Sequence, residues 1–182
     1  NTHDGNISMK WMYIAGGLVA CISLIFVLMF SFSGKTIDHN LITLQNEDGA
    51  PTLVTTFEDG SIIYLSGQTS ILYPEQFDKI KREVNLQGDA FFEVSKNKEK
   101  PFIIETTLAT IEVLGTAFDV NTGNDNVFTL SVKNGKVKVT SKMNGEVAYV
   151  NAGERASIKA GLLKTEKFDD EKTFGNYFEQ IQ

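Results

Sequence analysis

Side chains able to do acid–base, metal or nucleophilic chemistry are few in this 182-residue chain, and they are scattered. The two histidines, His3 and His39, fall on either side of a charge-free run at residues 11–33, so they do not share a site. Cys21, the only cysteine, sits inside that run. Alone it forms no intrachain disulfide and does not supply the several N or S ligands that zinc needs. Ser61, Ser66 and Ser70 have no general base close by in sequence, and neither a nucleophile elbow nor a phosphate-cradling glycine loop is written anywhere. Carboxylates remain, and a pair of acids flanking a glycosidic bond is chemistry that carboxylates alone support. Glu93 and Asp119 hold matching places in two similar stretches, which makes them the one candidate pair. Each alternates with apolar neighbours (Phe92 and Val94, Phe118 and Val120), and alternation predicts both acids on a solvent face. No catalytic residue, metal or cofactor is therefore assigned.

The run at 11–33, "WMYIAGGLVACISLIFVLMFSFS", has 23 residues and no charge. At about 1.5 Å rise per residue it is long enough to cross a hydrocarbon core of roughly 30 Å. Lys10 and Lys35 bracket it, and Trp11 and Tyr13 sit where interfacial aromatics belong. A cleaved signal peptide has a shorter apolar region, of about 7–15 residues, so a membrane span is the expectation. One lysine on each side says little about orientation. The chain opens on Asn1 and reads as a fragment or a processed form. Setting aside Asp4, Lys10 and Lys35, residues 36–182 hold 22 Asp+Glu against 15 Lys+Arg. That balance argues against nucleic acid and against docking on an anionic leaflet.

From Leu41 onward short β-rich runs alternate with Gly, Asn and Asp. "LVTTF-EDG-SIIYL" predicts a hairpin around Asp59-Gly60-Ser61; "FTLSV-KNG-KVKVT" predicts one around Asn134-Gly135, with Val132, Val137 and Val139 inward; a third is expected at Asn144-Gly145. Helical signal is thin: "PEQFDKIKREV" (74–84) has room for one or two turns, and the tail after Asp169 starts with acids but is interrupted by Gly175. Two stretches repeat each other, "VNLQGDAFFEV" (84–94) and "IEVLGTAFDV" (111–120). Gly88 and Gly115 permit a bend or a close backbone approach, Ala90 and Ala117 fit a tight interior, and Phe92/Val94 and Phe118/Val120 fill one face. Stacked units of a solenoid would write this, and so would a sandwich. The fold class is all-β: a short-stranded, twisted solenoid-like or sandwich domain preceded by one transmembrane helix. Arg82 is expected to pair with an acid from a neighbouring strand rather than grip an anion. Residues 96–100, "KNKEK", read as a solvated loop ended by Pro101-Phe102, and Tyr64, Tyr73, Phe91 and Phe102 as core or edge aromatics.

The order of these motifs resembles the FecR family of sigma regulators. An Asp59-Gly60-Ser61 turn leads into a strand, followed by the series Arg82, Val84, Leu86, Gly88, Ala90 and Phe92, then Pro101-Phe102. The block Val113, Leu114, Gly115, Thr116, Phe118 and Val120 comes next, with Gly135-Lys136-Val137 and Gly153-Glu154 after it. Leu65-Ser66, Phe57-Glu58 and Asp89 depart mildly from the family pattern. The resemblance implies a single-pass inner-membrane protein that relays a periplasmic signal. It would come from a TonB-dependent outer-membrane transducer, serving iron or glycan uptake, and go to an extracytoplasmic-function sigma factor. Residues 1–10 would then end a cytoplasmic region, 11–33 span the inner membrane, 34–52 hold a linker and first strand, 53–160 form the periplasmic β-domain, and 161–182 lead toward a docking domain. The sigma factor would be held by a cytoplasmic part outside these residues, without direct contact to nucleic acid. A membrane-anchored glycan- or polymer-binding module is the alternative, and a tethered glycan hydrolase a third reading.

Overall fold

The computed structural model describes residues 40–168 except residue 125, together with Phe174. The charge-free run at 11–33 lies outside them; among the described residues no helix is long and apolar enough to cross a membrane. Fourteen strands follow one another in the described part. They are β1 (Leu41–Asn46), β2 (Leu53–Thr56), β3 (Ile62–Leu65), β4 (Thr69–Pro74), β5 (Arg82–Gln87), β6 (Asp89–Glu93) and β7 (Phe102–Glu105). The second half holds β8 (Ala109–Val113), β9 (Ala117–Asn124), β10 (Val127–Asn134), β11 (Lys136–Ser141), β12 (Val147–Asn151), β13 (Glu154–Lys159) and β14 (Leu162–Lys167).

The strands sort into two seven-stranded sheets, ordered β1-β4-β5-β7-β8-β11-β12 and β14-β13-β10-β9-β6-β3-β2. Period-two alternation turns one face of each inward. Arg82, Val84 and Leu86 of β5 and Ala109, Ile111 and Val113 of β8 are buried on the first sheet, and Phe92, Phe118 and Leu130 on the second. All of these but Arg82 belong to one apolar core between the sheets. The chain alternates between layers: β2–β3, β9–β10 and β13–β14 are hairpins of the second sheet, and β4–β5, β7–β8 and β11–β12 of the first. Strand β6 alone separates β5 from β7 in sequence and lies in the other sheet, so the chain re-enters the first sheet in the same direction. That makes β5–β7 a parallel pair.

Three expectations need correcting. The two similar stretches do not stack as solenoid coils; their strands β6 and β9 are antiparallel neighbours, with Phe92 opposite Phe118 and the rings stacked at 5.4 Å. Gly135 does not turn a hairpin but carries the chain from β10 in one sheet to β11 in the other. An Asn-Gly pair supplies positive φ to either geometry, so the sequence does not separate them. Residues 75–81 form no helix, because Phe77 is drawn inward onto Phe57 and Phe102 and its amide donates to Glu58 Oε1 at 2.6 Å. The hairpins at Gly60 and Gly145 form where expected, and Val132, Val137 and Val139 are buried. The second sheet runs past residue 160, because Ala160 and Gly161, both at positive φ, turn the chain into β14.

Candidate functional site

Six of the motif residues converge at one end of the second sheet. Asp59 sits in the tight β2–β3 turn, where its Oδ1 accepts the Ser61 amide at 2.9 Å and its Oδ2 accepts the Ser61 hydroxyl at 2.7 Å. Gly60 holds a φ of 80°, and the Ser61 hydroxyl in turn accepts the Ser95 amide at 3.0 Å. Arg82, at the start of β5, is 1% exposed. Its Nη1 donates to Asp59 Oδ2 at 2.6 Å and to the Ser95 carbonyl at 2.9 Å, while Nε donates to the Lys100 carbonyl at 3.0 Å. Its amide donates to Pro101 O at 2.8 Å, and the guanidinium lies 5.3 Å from the Phe102 ring centroid. One buried cation thus ties the β2–β3 turn to both ends of the 96–100 loop. A buried guanidinium is tolerated only when paired and hydrogen-bonded; this one is through Nε and Nη1, while its buried Nη2 has no partner. Lys96 and Lys98 are exposed as expected, whereas Lys100 is half-buried and its Nζ donates to Phe77 O at 3.5 Å. Nothing in the spacing indicates that the carbonyls of Ser95 and Lys100 serve Arg82.

Gly88 and Gly115 are corners where the chain leaves the first sheet for the second. A Cβ on Gly88 would lie 2.6 Å from Thr69 Oγ1 and 2.8 Å from Thr69 Cα; one on Gly115 would lie 2.6 Å from Lys96 Cα. Both hold positive φ, 101° and 149°. No side chain fits either place. The two copies differ by one residue between corner and aromatic, so the interior position of Ala90 is filled in the second copy by Thr116, while Ala117 faces outward and is only half-buried. At the Gly115 end Thr116 O accepts the Val94 amide, Gly135 O the Ala152 amide and Val132 O the Gly153 amide, so successive crossovers are laced by backbone bonds. At the opposite end the Thr69 hydroxyl accepts the Asp89 amide at 2.9 Å and donates to Asp89 O at 3.0 Å. The Thr122 hydroxyl accepts the Gly88 amide at 2.8 Å. Thr69 and Thr122 were not singled out from sequence; a hydroxyl beside a glycine corner carries no distinctive spacing.

The two acids weighed as a catalytic pair lie diagonally on the outer face of β6 and β9. Glu93 accepts the Tyr64 hydroxyl at 3.3 Å, and burial, then Glu93, raise the Tyr64 pKa. Asp119 is not on a wet face as alternation predicted: it is 7% exposed. Among the described residues no three His, Cys, Asp or Glu side chains gather as a metal set. The Gly88 end opens onto a polar groove of about 840 Å3 lined by residues that include Glu47, Asp48, Gln68, Asp89 and Asn121.

Residues 51–138 match the family described as FecR protein, and they contain the Arg82 cluster and the sheet-to-sheet glycines Gly88, Gly115 and Gly135. That stretch of the chain is a FecR domain. Two crystal structures, each of a candidate anti-sigma factor from Parabacteroides distasonis, share the fold of this chain at 29% identity. One aligns with a TM-score of 0.69 over 74% of this chain, the other with 0.68 over 73%. The chain spans 63% of the length of either. No curated protein matches it. Within the FecR match, the motif residues named above are engaged with one another, holding two sheets and their crossovers together.

Proposed function

We propose that this chain is the membrane-proximal part of a sigma regulator: a FecR-type β-domain, anchored by residues 11–33, that relays an extracytoplasmic signal to a sigma factor and catalyses nothing. The observation that carries the reading is the joint match of sequence and fold, a FecR domain at 51–138 and a 29%-identical fold shared with a candidate anti-sigma factor. The site geometry supports it, since Asp59, Ser61 and Arg82 bond to one another inside the fold. In this reading the β-domain stands in the periplasm, a TonB-dependent transducer supplies the signal, and an extracytoplasmic-function sigma factor is held by a cytoplasmic part of the protein. The test is transcriptional. Deleting residues 53–155 within the full-length protein should change output from the sigma factor's promoters by several-fold in either direction. Unchanged output under both inducing and non-inducing conditions would sink the proposal.

A further inference from the structure

Part of the second sheet is dry on both faces. Phe91 and Phe92 are consecutive strand residues, so they point to opposite sides, yet both are 0% exposed. Ile63 and Tyr64 repeat the pattern on the neighbouring strand. Phe92 and Ile63 belong to the core between the sheets; Phe91 and Tyr64 form a second apolar cluster on the outer face, with Ile62 and Ala117 against it. An outer face of a two-sheet protein needs a cover to be this dry.

The cover is visible at its two ends. After β14 the Phe168 amide donates to Gly153 O at 2.8 Å, and the Phe168 ring lies 3.7 Å under the Arg155 guanidinium, which itself donates to Ser131 Oγ at 2.8 Å. Phe174 meets Phe168 edge-on at 6.0 Å and Phe91 at 5.9 Å, and Phe91 meets Tyr64 at 5.9 Å. Strand register puts Arg155, Ser131, Asp119, Phe91 and Tyr64 on one row across the sheet, so this is a continuous line from a cation through four rings. Between the two anchoring rings the sequence holds Asp169, Asp170 and Glu171, opposite in sign to Arg155 and to Lys133, whose Nζ lies 5.6 Å from the Phe91 ring centroid.

We propose that this outer face is an intramolecular dock for the segment that follows β14, with Phe174 as its plug. Phe168 is already fastened six residues upstream, so Phe174 faces its seat at a high effective concentration. Any other ligand for the face must first displace this ring. The inference is independent of the sigma-regulator reading.

Thiol protection tests it in the full chain, held in detergent, with Cys21→Ser removing the native thiol and Ala117→Cys reporting on the seat. Labelling by a polar maleimide should run at least tenfold faster when Phe174→Ala is added, while Val54→Cys, a control on an exposed edge strand, should label equally in both backgrounds. Equal rates at Ala117→Cys with and without Phe174 would overturn the dock. Protection that grows with protein concentration would also overturn it, in favour of a second copy as the cover. Should Ala117→Cys fold poorly, Tyr64→Trp in a Trp11→Phe chain gives a second readout: its emission should shift to the red on adding Phe174→Ala, and an unmoved emission would count against the dock.

Discussion

The corners at Gly88 and Gly115 make the same manoeuvre at opposite ends of the second sheet, and they are sealed by different chemistry. At the Gly88 end neutral hydroxyls do the work, Thr69 and Thr122 each bonding the backbone beside the glycine. At the Gly115 end the loop packed beneath the glycine is held by a buried charge, Arg82, with Asp59 as counterion. A glycine corner demands the same backbone geometry in both cases, but it leaves open which polar group satisfies the amides and carbonyls exposed by the bend. The difference should be one of magnitude. Neutral hydrogen bonds contribute about 1 kcal/mol net, whereas removing one partner of a buried pair leaves an uncompensated charge.

The sharpest way to break the comparison is Arg82→Ala. It should cost about 3–5 kcal/mol, because Asp59 and two carbonyls lose their donor in a dry site. Urea unfolding gives the loss, and hydrogen exchange should show it concentrated in residues 95–100 with the Thr69 end still protected. Next come the corners themselves. Gly88→Ala and Gly115→Ala should each lose about 2–4 kcal/mol from combined φ strain and backbone overlap. Gly145→Ala, with nothing within 4 Å of the added carbon, should lose only about 1 kcal/mol. Similar losses at all three positions would mean that the tight contacts at the corners relax. Thr69→Val should fall below Arg82→Ala, at about 1–3 kcal/mol, through the two hydrogen bonds its hydroxyl makes to the Asp89 backbone.

The smallest effect is a pH slope. Burial first, and Glu93 second, raise the Tyr64 pKa above its ordinary 10.0, so folding favours the neutral phenol. The stability this contributes is complete below about pH 10 and is lost as pH climbs through the raised value. Denaturant midpoints of Tyr64→Phe and the parent, compared between about pH 8 and 11, should converge at the alkaline end. A constant gap would mean that the phenol does not titrate in that window.

Much of the strand layout was legible because alternation and turn residues are local. Val132, Val137 and Val139 announce their burial, and Asp59-Gly60-Ser61 its turn. What stayed hidden depends on contacts far along the chain. Gly135 crosses between sheets because Thr116 presses against it; a Cβ there would sit 2.5 Å from the Thr116 methyl. Asp119 was placed on the correct face, but whether a face is wet is decided by what covers it, and on this face the covering ring described is Phe174, fifty-five positions on. Arg82 is the ion-pair member that its place in the sequence predicts, although its acid lies in a turn and not on a neighbouring strand.

Strand β1 is fastened unevenly, and that sets how it would respond to tension. Its first rungs, Leu41 and Ile42, pair only with the end of β4 that β5 does not reach, and both side chains are exposed. Its last residue, Asn46, is buried, with its amide donating to Pro51 O at 2.9 Å and Leu65 O at 3.0 Å. A pull arriving at residue 40 therefore loads the ladder one rung at a time, as in unzipping, past the half-buried Leu44, and meets a bolt at Asn46. The strand would yield gradually for five residues before the force reached the second sheet through Leu65.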